Sequence, residues 1–293
     1  MKESEVKVVP MRRAGAFLLW AAASALLQVA TAPNASAGTV VFGSDLSSFA
    51  ILGGGGVTFD GTGSLIGGSV GGSPTPAITG YPGGLATPYP TVYLAADPVT
   101  TQAQTELGTA IAALSLLSLG STTTESELGT LTLGPGVYVS SSTMNLAATT
   151  TLTLDGGGNA NASWVFLIYS SLTTGLNSQV IVENAGAGAS VYWVMQTASA
   201  TLGADSTFAG NILASASVKV GAGVSDPCGR LLTQTASVTL AGSDTVDTGC
   251  TGNLAGSNGL AGGVSVPEPG TLTLLSMGLG AGFLLRRKFR SIG

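Results

Sequence analysis

The sequence predicts a mainly β fold, a β-solenoid of short coils with one long α-helix packed alongside. Three observations predict it. Of the 293 residues, 44% are apolar, 44 are glycine and only 9% are charged, the inverse of the charged, aliphatic-poor composition of disordered chains. From Thr130 to Val246 the chain reads as short β-rich runs cut by Gly, Asn, Asp and Ser, among them TLTLGPGVYVS, SWVFLIYSS, SVYWVMQTAS and SVTLAGSD; apolar alternation between turn residues marks strands. The runs also repeat. TLGADSTFAGNILASAS from Thr201 is echoed by KVGAGVSDPCGRLLTQTAS from Lys219 and restarts as TLAGSDTV from Thr239, a period of roughly eighteen to twenty residues that suits stacked coils. A β-sandwich is the alternative, but it gives no reason for the recurring turn.

One segment breaks the β pattern. In VTTQAQTELGTAIAALSLLSL, residues Ala103, Leu107, Ala110, Ile111, Leu114 and Leu117 fall on one stripe of a 3.6-residue period. Asp97 suits the N-cap and Pro98 the first helical position. This predicts a helix over about 98–118 whose apolar stripe covers a face of the β body.

The stretch ILGGGGVTFDGTGSLIGGSVGGSP, Ile51 to Pro74, invites a phosphate-loop reading that fails. Gly61-Thr62-Gly63 is followed by one residue too many before Gly67, and no lysine lies between Lys7 and Lys219. The better reading is the opening coil of the solenoid. Ile51, Leu52, Val57, Leu65, Ile66 and Val70 are expected to point inward, and Thr58 and Thr62 outward.

Several chemistries are excluded. There is no histidine, so Ser-His, Cys-His and His-metal sites cannot form. Asp205, Asp226, Asp244 and Asp247 sit in Gly/Ser-rich contexts where Asp normally turns the chain. No calcium-loop motif occurs. The expectation is no catalysis, no metal and no cofactor. Between Gly38 and Ser265 only Lys219 and Arg230 are basic, against twelve acids, a net charge near −10 (two minus twelve), and nucleic-acid binding is excluded with it.

The two ends are addresses. Lys7, Arg12 and Arg13, an apolar run, and Ala35 and Ala37 in an A-x-A arrangement predict a secretory signal peptide over 1–37. Export permits a disulfide between Cys228 and Cys250, the only cysteines. VPEPGTLTLLSMGLGAGFLLRRKFR sets Pro267, Glu268 and Pro269 before an apolar run and a basic cluster. That order resembles the PEP-CTERM sorting tail of Gram-negative bacteria. The resemblance implies transient membrane association through the tail, handling by an exosortase, and delivery to the cell surface or extracellular matrix. The expected organisation is therefore 1–37 signal peptide, 38–250 solenoid, 251–265 Gly/Ser-rich linker and 266–293 sorting tail.

FAILGGGGVTFDGTGSLIGGSVGGSPTPAITGYPGG from Phe49, then LTLGPGVYVSSS, WVFLIYSSLTTG, VYWVMQTASATLGADSTFAGNILA and GRLLTQTASVTL, resemble in order the blocks of the ice-binding-like domain family of bacteria, microalgae and fungi. The resemblance covers about Ser47 to Val246. It implies an irregular right-handed β-helix of triangular cross-section with one long helix alongside, and a flat Thr/Ser/Asn-bearing face that adsorbs to ice. The family's T-(A/G)-x-(T/N) mark is matched by Thr174-Gly175-Leu176-Asn177, while the corresponding turns at Gly203–Ser206, Gly221–Val224 and Ala241–Asp244 depart from it. The candidate face residues are Thr58, Thr62, Thr149, Thr151, Thr174, Asn177, Ser206, Thr207, Ser225 and Thr245. Ice is the expected partner; the alternative is a structural or adhesive protein of the extracellular polysaccharide matrix without ice activity.

Overall fold

Gly, Asn, Asp or Ser interrupts each apolar run after a few residues, so the strands are only two to six residues long and the chain turns between them. In the computed structural model the described residues are 43–88, 90–120, 122–123, 126–186 and 188–249. The expected signal peptide, Cys250, the linker and the tail with Pro267, Glu268 and Pro269 lie outside them. Every strand pairing among the described residues is parallel, which rules out the sandwich. The quasi-repeat is a structural repeat: Thr201, Lys219 and Thr239 stand in direct register on successive coils.

The coils have three faces. The first is an eight-stranded sheet in the order Ser69–Gly72, Phe49–Gly53, Gly229–Thr233, Gly210–Ala214, Ser190–Met195, Ser163–Ile168, Gly136–Ser140 and Thr122–Thr123. Its central strands are buried on both sides, as their unbroken apolar runs require. Ile51, Phe166, Trp193, Ile212 and Leu231 fill the lumen. Their neighbours Leu52, Val165, Leu167, Tyr192, Val194, Leu213 and Leu232 pack outward with the helix residues Leu107, Ala110 and Leu114. Leu52 thus corrects the expectation that it points into the lumen. Leu65, also expected inside, is 46% exposed on another face.

The covering helix runs Pro98–Ser115 and tightens into a 3₁₀ turn over Leu116–Gly120. Asp97 caps it, its Oδ1 accepting the Val99 N–H at 2.8 Å. Its role in the topology is to carry the chain from one end of the stack to the other. The first coils sit at one end, and the strand Phe49–Gly53 pairs with Gly229–Thr233 near the far end of the sequence. From Phe49–Gly53 to Gly136–Ser140 is five strand steps, about 24 Å at ~4.8 Å each. The helix of 18 residues is about 27 Å long at ~1.5 Å per residue. The lengths match. Later coils then climb back until the last closes against the first.

The lumen is apolar and specifically packed. Tyr138, Phe166, Trp193 and Phe208 form a column with successive ring centroids 5.3, 3.9 and 5.2 Å apart. The indoles of Trp164 and Trp193 donate to the Leu133 and Ala209 carbonyls at 3.0 Å each, so neither buries an orphaned N–H.

Candidate functional site: a hydroxyl-bearing face

The second face is a seven-stranded sheet of Ile78–Thr79, Val57–Phe59, Val238–Leu240, Val218–Val220, Ala200–Leu202, Leu172–Thr174 and Met144–Leu146. Most are three-residue strands whose first and third side chains are buried, leaving the middle one outside. Register aligns those outward positions into one row: Thr79, Thr58, Thr239, Lys219, Thr201, Thr173 and Asn145. The row's six steps extend about 29 Å at ~4.8 Å per step.

The row is flanked by short side chains. Two residues before five of these positions stand Thr143, Ser171, Ser199, Ser217 and Ser237, while Gly56 and Ala77 precede Thr58 and Thr79. Thr143 and Ser171 hydroxyls lie 3.0 Å apart, and Ser217 donates to Ser199 at 2.9 Å, linking coil to coil. Two residues after stand Gly175, Gly203 and Gly221 in successive coils. A Cβ there would lie 2.4, 2.4 and 2.6 Å from the backbone of the neighbouring turn, so glycine is required for the turns to stack. The result is a surface mainly of hydroxyls and methyls, interrupted at mid-row by the exposed Lys219.

At the next corner the chain adopts the left-handed conformation repeatedly, with φ of 61° at Thr149, 55° at Asn177, 54° at Asp205, 74° at Gly223 and 55° at Ser243. Their N–H groups each bond to the coil above or below, as Asn177 to Ala204 at 3.0 Å and Asp205 to Ala222 at 2.9 Å. Asn177, Asp205 and Gly223 are residue types that tolerate positive φ best, whereas Thr149 and Ser243 adopt it without that preference.

The predicted face residues fall in three places. Thr58 lies in the outward row. Thr62, Thr149 and Asn177 are exposed at the corner. Thr151, Thr207, Ser225 and Thr245 belong to the third face, where the register runs Thr151, Gln179, Thr207, Ser225, Thr245 and ends on Leu65. Thr174 and Ser206 are buried at 4% and 2% exposure. The Thr174 hydroxyl accepts the Gly203 N–H at 2.9 Å, tying one coil to the next, and the Ser206 hydroxyl donates to the Gly203 carbonyl at 2.7 Å within its own turn. Thr79, Thr173, Thr201, Thr239 and Asn145 were not among the candidates. The signal for four of them is present: MNL, LTT, ATL and VTL each hold the outward residue between two buried ones, as VTF does for Thr58.

The third face is less regular. Its two three-stranded parts, Gln179–Glu183 with Thr151–Asp155 and Thr132–Leu133, and Ser225–Asp226 with Thr245–Asp247 and Leu65–Gly67, are joined by single-residue bridges at Thr207. It also sets Asp155 directly beside Glu183. The Asp155 carboxyl is held below its ordinary range by the Gly157 N–H and the Asn184 amide, so it stays ionised and hydrated. Among the other acids, Asp244 is buried and accepts the Gly242 and Val224 N–H groups at 2.9 and 3.1 Å. Asp226 is buried in its turn, and Asp205 sits at the corner. No three Cys, Asp or Glu side chains among the described residues cluster to hold a metal ion. Cys228 is disulfide-bonded.

A three-sided parallel solenoid carrying a level hydroxyl row over several coils defines a class of protein that meets an extended, repetitive surface. The chain belongs to the Ice-binding-like family, whose model matches residues 51–246. Residues 265–288 match the PEP-CTERM protein-sorting motif, which indicates export and sorting to the cell surface. The chain is similar to an ice-binding protein of Nostoc sp. (strain HG1), 38% identical over 246 residues, covering 83% of this chain and 86% of that protein. Among solved structures it resembles the ice-binding protein of the Antarctic ascomycete Antarctomyces psychrotrophicus, with 34% identity, TM-score 0.59, and coverage of 70% of this chain and 96% of that one. It also resembles an ice-binding protein from an Antarctic biological consortium, with 27% identity, TM-score 0.63, and coverage of 73% and 93%.

Proposed function

We propose that this chain is an exported, non-enzymatic ice-binding protein whose contact surface is the row Thr79, Thr58, Thr239, Lys219, Thr201, Thr173 and Asn145 with its flanking serines. The observation that carries the reading is the register: seven outward positions at equal strand steps, five of them threonine, with Lys219 between Thr239 and Thr201. Each threonine methyl offers apolar surface over which water orders, and each hydroxyl anchors that water at a lattice-like interval. The third face serves worse, since the adjacent acidic side chains of Asp155 and Glu183 hold their own hydration shells there.

Residues 1–37 act as the signal peptide, 38–250 as the working domain, 251–265 as a linker, and 266–293 as a tail that enters the membrane transiently and is processed by an exosortase. The protein then slows ice growth or recrystallisation close to the cell. The sorting motif also supports a second reading, retention in an extracellular polysaccharide matrix. Thermal hysteresis and recrystallisation inhibition by the purified protein, both lost in Thr173→Tyr, are the expected results. Absence of either effect in the wild type, combined with retention on matrix polysaccharide, favours the second reading and overturns the first.

A further inference from the structure

We infer that Lys219 sets the strength of this face by cutting its hydroxyl row in two, an inference that rests on the reading of the face as an ice-binding surface. Lys219 is the fourth of seven positions, with Thr239, Thr58 and Thr79 on one side and Thr201, Thr173 and Asn145 on the other. The backbone is not interrupted there. Val218, Lys219 and Val220 pair in full register with Ala200–Leu202 and with Val238–Leu240, and both valines are buried as the pattern demands. Only the side chain departs.

That side chain is exposed and makes no hydrogen bond or ion pair to another described residue. Its stem carries a strongly hydrated ammonium well past the level of the flanking threonine methyls. Thr201 and Thr239 stand one strand step away on either side, about 4.8 Å, so the lysine either rises from the surface or lies across a neighbour. Both arrangements hold a flat lattice off the centre of the row. What remains is two segments of three positions, each about 10 Å long, in place of one of about 29 Å. Arg230, the other basic residue of the described chain, is buried at 1% exposure, so Lys219 is the cation this domain presents to solvent.

The experiment compares the full chain, exported and purified, as wild type, Lys219→Thr, Lys219→Arg and Thr201→Tyr. Thermal melts confirm that all four are folded; position 219 is outward, and threonine favours strands. Lys219→Thr is expected to raise thermal hysteresis on the order of twofold or more as the row becomes continuous over seven ~4.8 Å positions, and to inhibit recrystallisation at lower concentration. Lys219→Arg is expected to match wild type, and Thr201→Tyr to lose activity. Loss in Thr201→Tyr with no gain in Lys219→Thr, or an equal gain in Lys219→Arg, overturns the role of Lys219 and leaves the face reading standing. Wild-type activity retained in Thr201→Tyr overturns the face reading itself.

Discussion

Asp226 makes stability pH-dependent in an unusual direction. Its carboxyl is fully buried and neither oxygen completes a hydrogen bond. Desolvation pushes its pKa up to about 8, against the opposing pull of nearby amides and of Arg230. In the unfolded chain the same group titrates near 3.9. Between these values the folded state holds a proton that the unfolded state has released. Stability therefore falls as pH rises, by about 1.4 kcal/mol per unit at most, and levels off above pH 8. From pH 5 to pH 8 the loss reaches about 4 kcal/mol, or roughly 10 °C in Tm for a domain of this size. Arg230, pushed down to about 10 by desolvation, stays charged throughout this window. Asp244, also raised by desolvation, adds to the same trend. Urea unfolding at pH 4, 5, 6, 7, 8 and 9 measures the slope, and Asp226→Asn should remove most of it while coming nearest to wild type at about pH 4, close to the unfolded-chain pKa. A wild-type curve flat or rising from pH 5 to 8, or an undiminished slope in Asp226→Asn, refutes the reasoning.

Three further outcomes follow from packing and register. Leu107→Ala, in the fully buried stripe under the helix, should cost about 2–5 kcal/mol by denaturant unfolding. Gly223→Ala places a Cβ 2.5 Å from Asp205 Oδ1 at φ 74°, and unfolding should register a loss of at least about 1 kcal/mol. Thr245→Tyr puts a bulky ring on the third face, and thermal hysteresis should stay at the wild-type value.

The coil architecture was legible because its signals are local. Turn residues punctuated the runs, the repeat origins Thr201, Lys219 and Thr239 proved to be register partners, and the Asp97–Pro98 pair placed the helix start where its cap bond forms. The outward row was harder because strand phase is binary. Thr173 and Thr174 are neighbours in sequence, yet one is outward and the other is 4% exposed, since a slip of one residue reverses a strand's faces. Ser206 and Thr207 present the same ambiguity, and turn residues near them gave no phase. Leu52 was misplaced for a different reason. Its strand is apolar on both sides, so alternation says nothing about which residues meet the lumen and which meet the helix.

The row is also a product of topology rather than of any one repeat. Five members, from Asn145 to Thr239, come from the coils that climb back after the helix; Thr58 and Thr79 come from the coils before it. They join only when Val57–Phe59 pairs with Val238–Leu240, a contact between positions near opposite ends of the domain. That closure brings Thr58 beside Thr239 and leaves Thr79 donating to Thr58 at 3.0 Å. The helix sets the distance the chain must travel before the climb begins, so its length and the number of coils are coupled. A change that shortens the helix by a turn, or deletes one coil, disturbs the closure and with it the last two positions of the surface. Folding of the first coil onto the last is thus the step that completes the face.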